Sequence, residues 1–427
     1  MMNKNKITLS LTAALALGMS SNALAAGFQL AEYSATGLGR AFAGEAAMAD
    51  NASAQFRNPA MLTYLEGTQI SVGAIYVDPN IDVKGNLQLN DQTIDQTESR
   101  DIANSAVIPN FYISRQLNDK ATLGLAFGTN FGMRTDLGTD FLGSQFGNQA
   151  EVHTVEINPN LGYKINDQFS VGAGVRYIMA KGHFGAALPK PLGGLPLKYM
   201  EGEDNAWGWQ AGAAWQITPS NRIGVSYHSA VKLNLTGHAN GIAYDKAYAV
   251  QGKMPLTQYA GSLPLELPAS AEIASFHQLN DQWSVHASIN WTDWSSFKKL
   301  QASIPNMPEN VEHIKDENWK DNYRFAIGTT YQATEKLALR SGIAYDMAAV
   351  DEAHRTQTIP ETDRTWLSLG AGYQWSKNLT LDAGLTYVYA KKAHMLEKDK
   401  EHPMFGQFAG TTSGDVWLAG VQASYRF

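Results

Sequence analysis

From Gly67 to the C-terminus, polarity alternates residue by residue in segments of about ten residues, and this pattern decides most of what the chain can fold into. In the last segment Trp417, Ala419, Val421, Ala423, Tyr425 and Phe427 share one parity, and Gly420, Gln422, Ser424 and Arg426 share the other. Leu367, Leu369, Ala371, Tyr373 and Trp375 alternate in the same way with Ser368, Gly370, Gly372 and Gln374. So do Tyr323, Phe325, Ile327, Thr329 and Tyr331 with Arg324, Ala326, Gly328 and Gln332. Successive side chains of a strand point to opposite faces, so each segment has one apolar face and one polar or small face. The aromatic residues fall near the ends of the apolar face, where girdles sit at the two surfaces of a membrane. A soluble β-sandwich also alternates, but it rarely places aromatics at both ends of an apolar face or ends its chain on a strand-terminal Phe.

Fourteen strands are predicted, beginning near Thr68, Ala106, Lys120, His153, Phe169, Ala206, Arg222, Leu263, Gln282, Asn322, Lys336, Arg364, Leu379 and Gly414. Their connections alternate in length. Short turns fall at 117–120, 165–168, 218–221, 279–282, 333–336 and 376–379. Long connections include 79–104, 134–152, 183–205, 237–262, 302–321, 348–363 and 391–413. Outer-membrane barrels have short periplasmic turns and long external loops, so the alternation orients the barrel as well as predicting it. Nothing after Ala26 approaches the roughly 18 uninterrupted apolar residues of a membrane helix. Only helices and closed barrels satisfy the backbone inside lipid, so the fold class is all-β: a 14-stranded antiparallel transmembrane barrel. A barrel this wide is not filled by its own wall side chains, and something else must plug it or be held in it.

The N-terminal residues read as a secretory signal. Lys4 and Lys6 precede a short apolar run, residues 7–19, and Ala23-Leu24-Ala25 fits the cleavage pattern, which makes Ala26 the expected mature N-terminus. The chain therefore divides into a signal peptide (1–25), a segment without strand character (26–66) and the barrel (67–427). The middle segment is rich in Ala and Gly, carries Pro59, and is long enough to fold back into the lumen as a plug. Losing Lys4 and Lys6 moves the net charge from −7 to −9, a poor match for nucleic acid. The absence of Cys excludes disulfides, thiolate metal sites, a Cys nucleophile and a lipid-modified N-terminal Cys.

Within the middle segment, Gly27-Phe28-Gln29-Leu30, Gly37-Leu38-Gly39-Arg40-Ala41, Gly44-Glu45, Ala49-Asp50-Asn51 and Asn58-Pro59-Ala60 resemble the plug of the long-chain fatty acid outer-membrane transporters (FadL/OmpP1/TodX-type barrels). That family also contains P1-type porins and aromatic-hydrocarbon channels. Two later stretches agree: Asp321-Asn322-Tyr323-Arg324 with Gly328-Thr329-Thr330-Tyr331, and Ile359-Pro360 with Asp363-Arg364 and Trp366. The resemblance runs from Ala26 to Phe427 and is weak only in the external loops. It implies a 14-strand barrel closed by an N-terminal hatch, capture of lipid at the outer loops, an internal apolar site, and exit through a gap in the wall into the bilayer. It implies no cofactor and no metal. The expected partners are the hydrophobic ligand, outer-membrane lipid and the barrel assembly machinery, with the chain a monomer.

Several residues carry over singly. Phe28 matches the plug's N-terminal aromatic, which in the family lies in the internal site. Asn58, Pro59 and Ala60 match the hatch motif, and Gly132 matches the kink of the third strand that opens the wall, where an interrupted strand is expected to need a Gly because it tolerates bulge dihedrals. Lys315 aligns with one of the family's carboxylate-pairing residues. The other, an Arg, falls near Ala186 and is missing, leaving Lys181 or Lys190 as possible replacements. Lys181 shares the parity of Val171, Val175 and Tyr177 and so needs a bulge, or a position above the membrane, to face the lumen. Phe184 and Met200 are candidate pocket walls. An enzyme is disfavoured, because neither G-x-S-x-G nor H-E-x-x-H occurs, and His153 and Glu156 point to opposite faces of a strand. A general porin and an aromatic-hydrocarbon channel stay open as alternatives.

Overall fold

The computed structural model describes residues 27–90, 92–244, 257–306, 311–399 and 403–427; the expected signal peptide lies outside the described residues. Fourteen antiparallel strands form one closed ring. They are β1 (Thr68–Leu89), β2 (Ala106–Gln116), β3 (Ala121–Gly128, resuming at Gly132–Asp136), β4 (Gln149–Lys164), β5 (Phe169–Ala187), β6 (Pro196–Thr218) and β7 (Asn221–His228 and Val231–Asn240). Then follow β8 (Tyr259–Leu267 and Ser270–Gln278), β9 (Trp283–Thr292), β10 (Asn322–Gln332), β11 (Leu337–Asp346), β12 (Arg364–Gln374), β13 (Leu379–Lys398) and β14 (Gln407–Arg426). The ring closes where β1 pairs with β14, from Gln69 opposite Arg426 to Gln88 opposite Gln407. Closure removes the sheet edges whose unpaired N–H and C=O groups lipid could not satisfy.

The predicted strands correspond to these one for one, and all six short turns fall between paired strands. β4, β6, β8 and β14 begin earlier than the alternation indicates, and β1 and β13 run far into segments read as loops. These are the strand ends at the long connections, where the ladders continue beyond the apolar belt and the outward face becomes polar (Lys84, Asn86, Gln88). Two further hairpins extend the same end: Gln92–Ser99 folds onto β1, and Lys299–Ser303 pairs with Val311–Asp316 between β9 and β10.

The two parities separate as expected. Leu367, Leu369, Ile327, Trp417, Val421 and Phe427 are exposed on the outer face, whereas Ser368, Asp382, Thr386 and Gln422 are buried inside. An outward belt of this kind is stable only against lipid, since an apolar patch of that extent in water would drive association.

Residues 27–66 lie inside the ring. A short helix, Ala35–Leu38, touches β12, β13, β14 and β1; the turn Glu45–Ala47 touches β7 and β8; and the 3-10 helix Pro59–Tyr64 touches β3, β4, β5 and β6. The motif residues bind this segment to itself and to the wall. Arg40 Nη2 lies 2.7 Å from Glu45 Oε1 and 2.7 Å from Asp50 Oδ2. Arg324 on β10 donates to the Ala41 carbonyl at 2.7 Å, and Arg222 on β7 to that of Ala47 at 2.7 Å. Asn58 Oδ1 accepts the Ala60 N–H at 3.0 Å and caps the 3-10 helix, while its Nδ2 donates to the Ala213 carbonyl of β6 at 3.2 Å. Pro59 occupies the first helical position, where its missing N–H costs nothing. The turn fits because the wall is bare there: a Cβ on Gly172 would come within 2.4 Å of the Ala60 nitrogen, and one on Gly212 within 2.0 Å of Asn58 Oδ1.

Candidate functional site

The start of the luminal segment is held by backbone bonds to an interruption in β3. Leu30 N–H donates to the Asn130 carbonyl at 2.7 Å, and Gly132 N–H donates to the Phe28 carbonyl at 2.9 Å, with Gln29 bridged to Phe131 between them. Against β4, Gly128 pairs with Glu156 and Gly132 with His153, so three residues of β3 oppose two of β4. This is a bulge, which turns the strand inward. Thr154 fills the lost ladder positions: its hydroxyl donates to the Phe131 carbonyl at 2.7 Å and accepts from the Phe131 N–H at 3.2 Å. Gly132 itself is not among the residues with positive φ, so the bulge does not depend on glycine's left-handed freedom. The expectation that Gly tolerates special dihedrals there is corrected to this extent.

The same interruption leaves β3 unpaired from β2 over part of its length. Their ladder runs from Gln116–Thr122 to Phe111–Phe127 and stops. Beyond it, residues 106–110 pair with β1 and Gly132–Asp136 with β4, and among the described residues no ladder joins the two. The interval is bounded above where Asp136 N–H donates to the Ile102 carbonyl at 2.8 Å.

Phe28, fixed in this way, sits among rings. Its centroid lies 4.7 Å from Trp294 in an edge-on arrangement, 5.9 Å from Phe297, 6.1 Å from Phe131 and 6.4 Å from Trp319. Such pairs contribute about 0.5–1.5 kcal/mol each beyond area burial, so the cluster is a rigid floor. Above it opens a cavity of about 840 Å³, part of it continuous with solvent, whose walls include Met133, Phe184, Met200, Leu235, Leu265 and Ile304. Phe184 on β5 and Met200 on β6 stand opposite each other in register, both on the inward parity.

Lys315 and Glu317 form the polar edge of this cavity. Lys315, on the hairpin between β9 and β10, contacts the carboxylate of Glu397 from β13, and Glu397 Oε2 accepts the Gln357 N–H at 2.9 Å. Lys315 and Glu397 also line a polar vestibule of about 1200 Å³ with Lys198, His313, His354 and Arg355, so the pair stands between the two spaces. Burial pushes the Lys315 ammonium down to about 8, against the opposing pull of Glu317 and Asp399. Burial likewise pushes the Glu317 carboxyl up to about 7, countered by Lys315 and by the Trp319 Nε1–H that it accepts at 2.9 Å.

Four of the five candidate ligand residues (Phe28, Phe184, Met200 and Lys315) therefore line one cavity. Lys181 does not. Its strand keeps strict alternation through this level, so the side chain points outward with Tyr177 and pairs with Glu203 at 2.9 Å. Lys190 is an exposed partner of Asp140 at 2.9 Å. Neither replaces the missing arginine in the cavity, and Ala186 faces the vestibule instead. Asn58, Pro59 and Ala60 form the wall contact described above, far along the segment from Phe28. Sequence reasoning did not single out Trp294, Glu317, Trp319 or Glu397. The stretch Lys315-Asp316-Glu317-Asn318-Trp319 held two of these, one acid and one aromatic beside the candidate lysine.

The sequence was compared with known proteins. A family model described as outer membrane protein transport protein (OMPP1/FadL/TodX) matches residues 16–427. A long-chain fatty acid transport protein of Escherichia coli O6:H1 is 31% identical, with all of both chains covered. Outer membrane protein P1 of Haemophilus influenzae is 34% identical over 99% of this chain and all of its own. Among solved structures, a Pseudomonas aeruginosa FadL homologue superposes with a TM-score of 0.85 at 24% identity, covering 94% of this chain and all of that one. The Pseudomonas putida toluene transporter TodX reaches 0.67 at 18% identity, over 94% and 100%. At these identities the structural matches speak for the fold alone.

Proposed function

The chain belongs to the OMPP1/FadL/TodX family of outer membrane transport proteins, and from that premise we propose that it takes up long-chain fatty acids across the outer membrane. The observation that carries this reading is the pairing of a largely apolar cavity with one lysine at its polar edge. That is the chemistry of an amphiphile with a long alkyl chain and a carboxylate head. Leaving the chain in water costs about 0.8 kcal/mol per CH₂, which makes a water-filled pore a poor conductor for it. In this reading the external ends of the strands capture ligand, the vestibule passes it to the cavity, and residues 26–66 act as a hatch. The interval between β2 and β3 is then the side exit, delivering ligand to outer-membrane lipid. The protein acts as a monomer, and Phe427, exposed at the end of β14, is the residue the assembly machinery reads.

A second reading has its own support. Five aromatic rings floor the cavity, and Lys315 is already neutralised by Glu397, an arrangement that also suits an uncharged aromatic hydrocarbon. Direct titration of the purified protein decides between them. The fatty acid reading expects palmitate to bind at least tenfold more tightly than octanoate and more tightly than toluene. Preference for toluene overturns it.

A further inference from the structure

Near the head-group end of the cavity stand one ammonium, Lys315, and two carboxylates, Glu317 and Glu397. The cations around them have partners of their own. Lys198 contacts Glu312, His313 lies 3.2 Å from Asp316, and His354 lies 2.7 Å from Asp351. Arg355 donates to the carbonyls of Glu361, Val350 and His394. Asp399 adds negative charge from beyond β13. Glu151, His183, Glu201 and His238 share the outward parity of Lys181 and Glu203, so their two acid–histidine pairs stand on the outer face of the wall and not at this end of the cavity. Arg355 keeps its positive charge in the vestibule, but directly around Lys315 the two carboxylates outnumber the one ammonium before the ligand arrives, in a buried place where like charges are weakly screened.

Building on the reading of this cavity as the ligand site, we propose that Glu317 sets head-group selectivity. A fatty acid carboxylate replaces Glu397 at Lys315 and is admitted together with one proton on Glu317, whereas an uncharged head group enters without a proton. The charge is then conserved: the ligand brings one negative charge, Glu317 gives one up by taking a proton from solvent, and Glu397 stays ionised with its Gln357 N–H bond. The Trp319 Nε1–H holds Glu317 Oε2, leaving Oε1 to carry the proton. Burial has already raised this carboxyl to about 7, so protonation near neutral pH is accessible.

The test is calorimetric titration of dodecanoate and of dodecanol into the full-length protein in non-ionic detergent at pH 7. Each titration is run in two buffers of different ionisation enthalpy, which reads the protons exchanged. A group titrating near 7 is about half protonated at this pH, so dodecanoate should take up about half a proton per molecule bound and dodecanol none. Glu317→Gln should abolish most of that uptake and tighten dodecanoate about threefold or more relative to dodecanol, with heat-modifiable migration showing that the variant is folded. Glu397→Gln should tighten dodecanoate with proton uptake retained. Dodecanoate binding with no proton uptake, or with equal uptake in Glu317→Gln, overturns the proposal while leaving the cavity reading intact. Failure of both ligands to bind overturns both.

Discussion

The backbone N–H of Gly132 donates to the carbonyl oxygen of Phe28 at 2.9 Å. The residue that forms the floor of the cavity is thereby bonded to the first residue after the break in the wall. Any movement of residues 27–30 is felt at both places, which gives a physical route by which ligand at Phe28 could influence an opening beside Gly132.

Phe28→Ala should separate packing from assembly. The side chain is buried against four rings that belong to the wall or its loops, not to the hatch. Truncation also removes the apolar surface that Phe28 offers at the cavity floor, and forfeiting about 1.4 kcal/mol of contact with the ligand is about tenfold in affinity. Palmitate binding should weaken by that factor, while heat-modifiable migration of the barrel is unchanged. Unaltered binding would show that Phe28 is ordinary packing.

Lys315→Ala should discriminate by head group. A hydrogen bond to a charged partner contributes about 1.5–3 kcal/mol, so hexadecanoate affinity should fall at least tenfold and hexadecanol affinity less than threefold. Equal losses would remove Lys315 from the head-group site. The same lysine sets an upper pH limit. Its ammonium is pushed down to about 8, so it is charged below that pH and neutral above it. Wild-type affinity for the acid should decline as pH rises from 7.5 to 9, and Lys315→Ala should reduce this dependence to the part that proton uptake by Glu317 contributes.

Gly172→Val tests the seat of the hatch motif. A Cβ there would lie 2.4 Å from both the Ala60 nitrogen and the Pro59 carbonyl carbon, backbone atoms that cannot rotate away. The 58–60 turn should be displaced while the barrel still assembles. Limited proteolysis should then cut within residues 40–66, most of which are buried in the wild type. Full protection of that segment would mean that the wall accommodates the side chain.

Strand number, turns and the two faces were legible because lipid and lumen impose opposite chemistry on adjacent residues, as at Leu367 and Ser368. Beyond the belt that contrast fades, and β6 and β14 were read as starting too late for this reason. The luminal seat was not legible. Gly172 and Gly212 are two small inward residues until Asn58 and Pro59 are placed against them, and the contact spans more than 100 positions of sequence. The cavity was legible where a resemblance pointed to Phe28 and Lys315, and opaque where its shape depends on loops. Glu397 meets Lys315 only after β13 is carried beyond the membrane, and Lys181 could be placed outside by parity alone.

The central claim is uptake of a long-chain fatty acid by way of the side of the barrel, and the most direct measurement is oleate uptake by a Gram-negative strain lacking its own fatty acid channel. Wild-type protein should restore uptake. Gly132→Val, whose side chain favours extended pairing at the break, should reach the outer membrane in equal amount and bind oleate, yet transport less than about a tenth as fast. No uptake with well-assembled wild-type protein would contradict the fatty acid assignment, and wild-type uptake by Gly132→Val would contradict exit at this point in the wall.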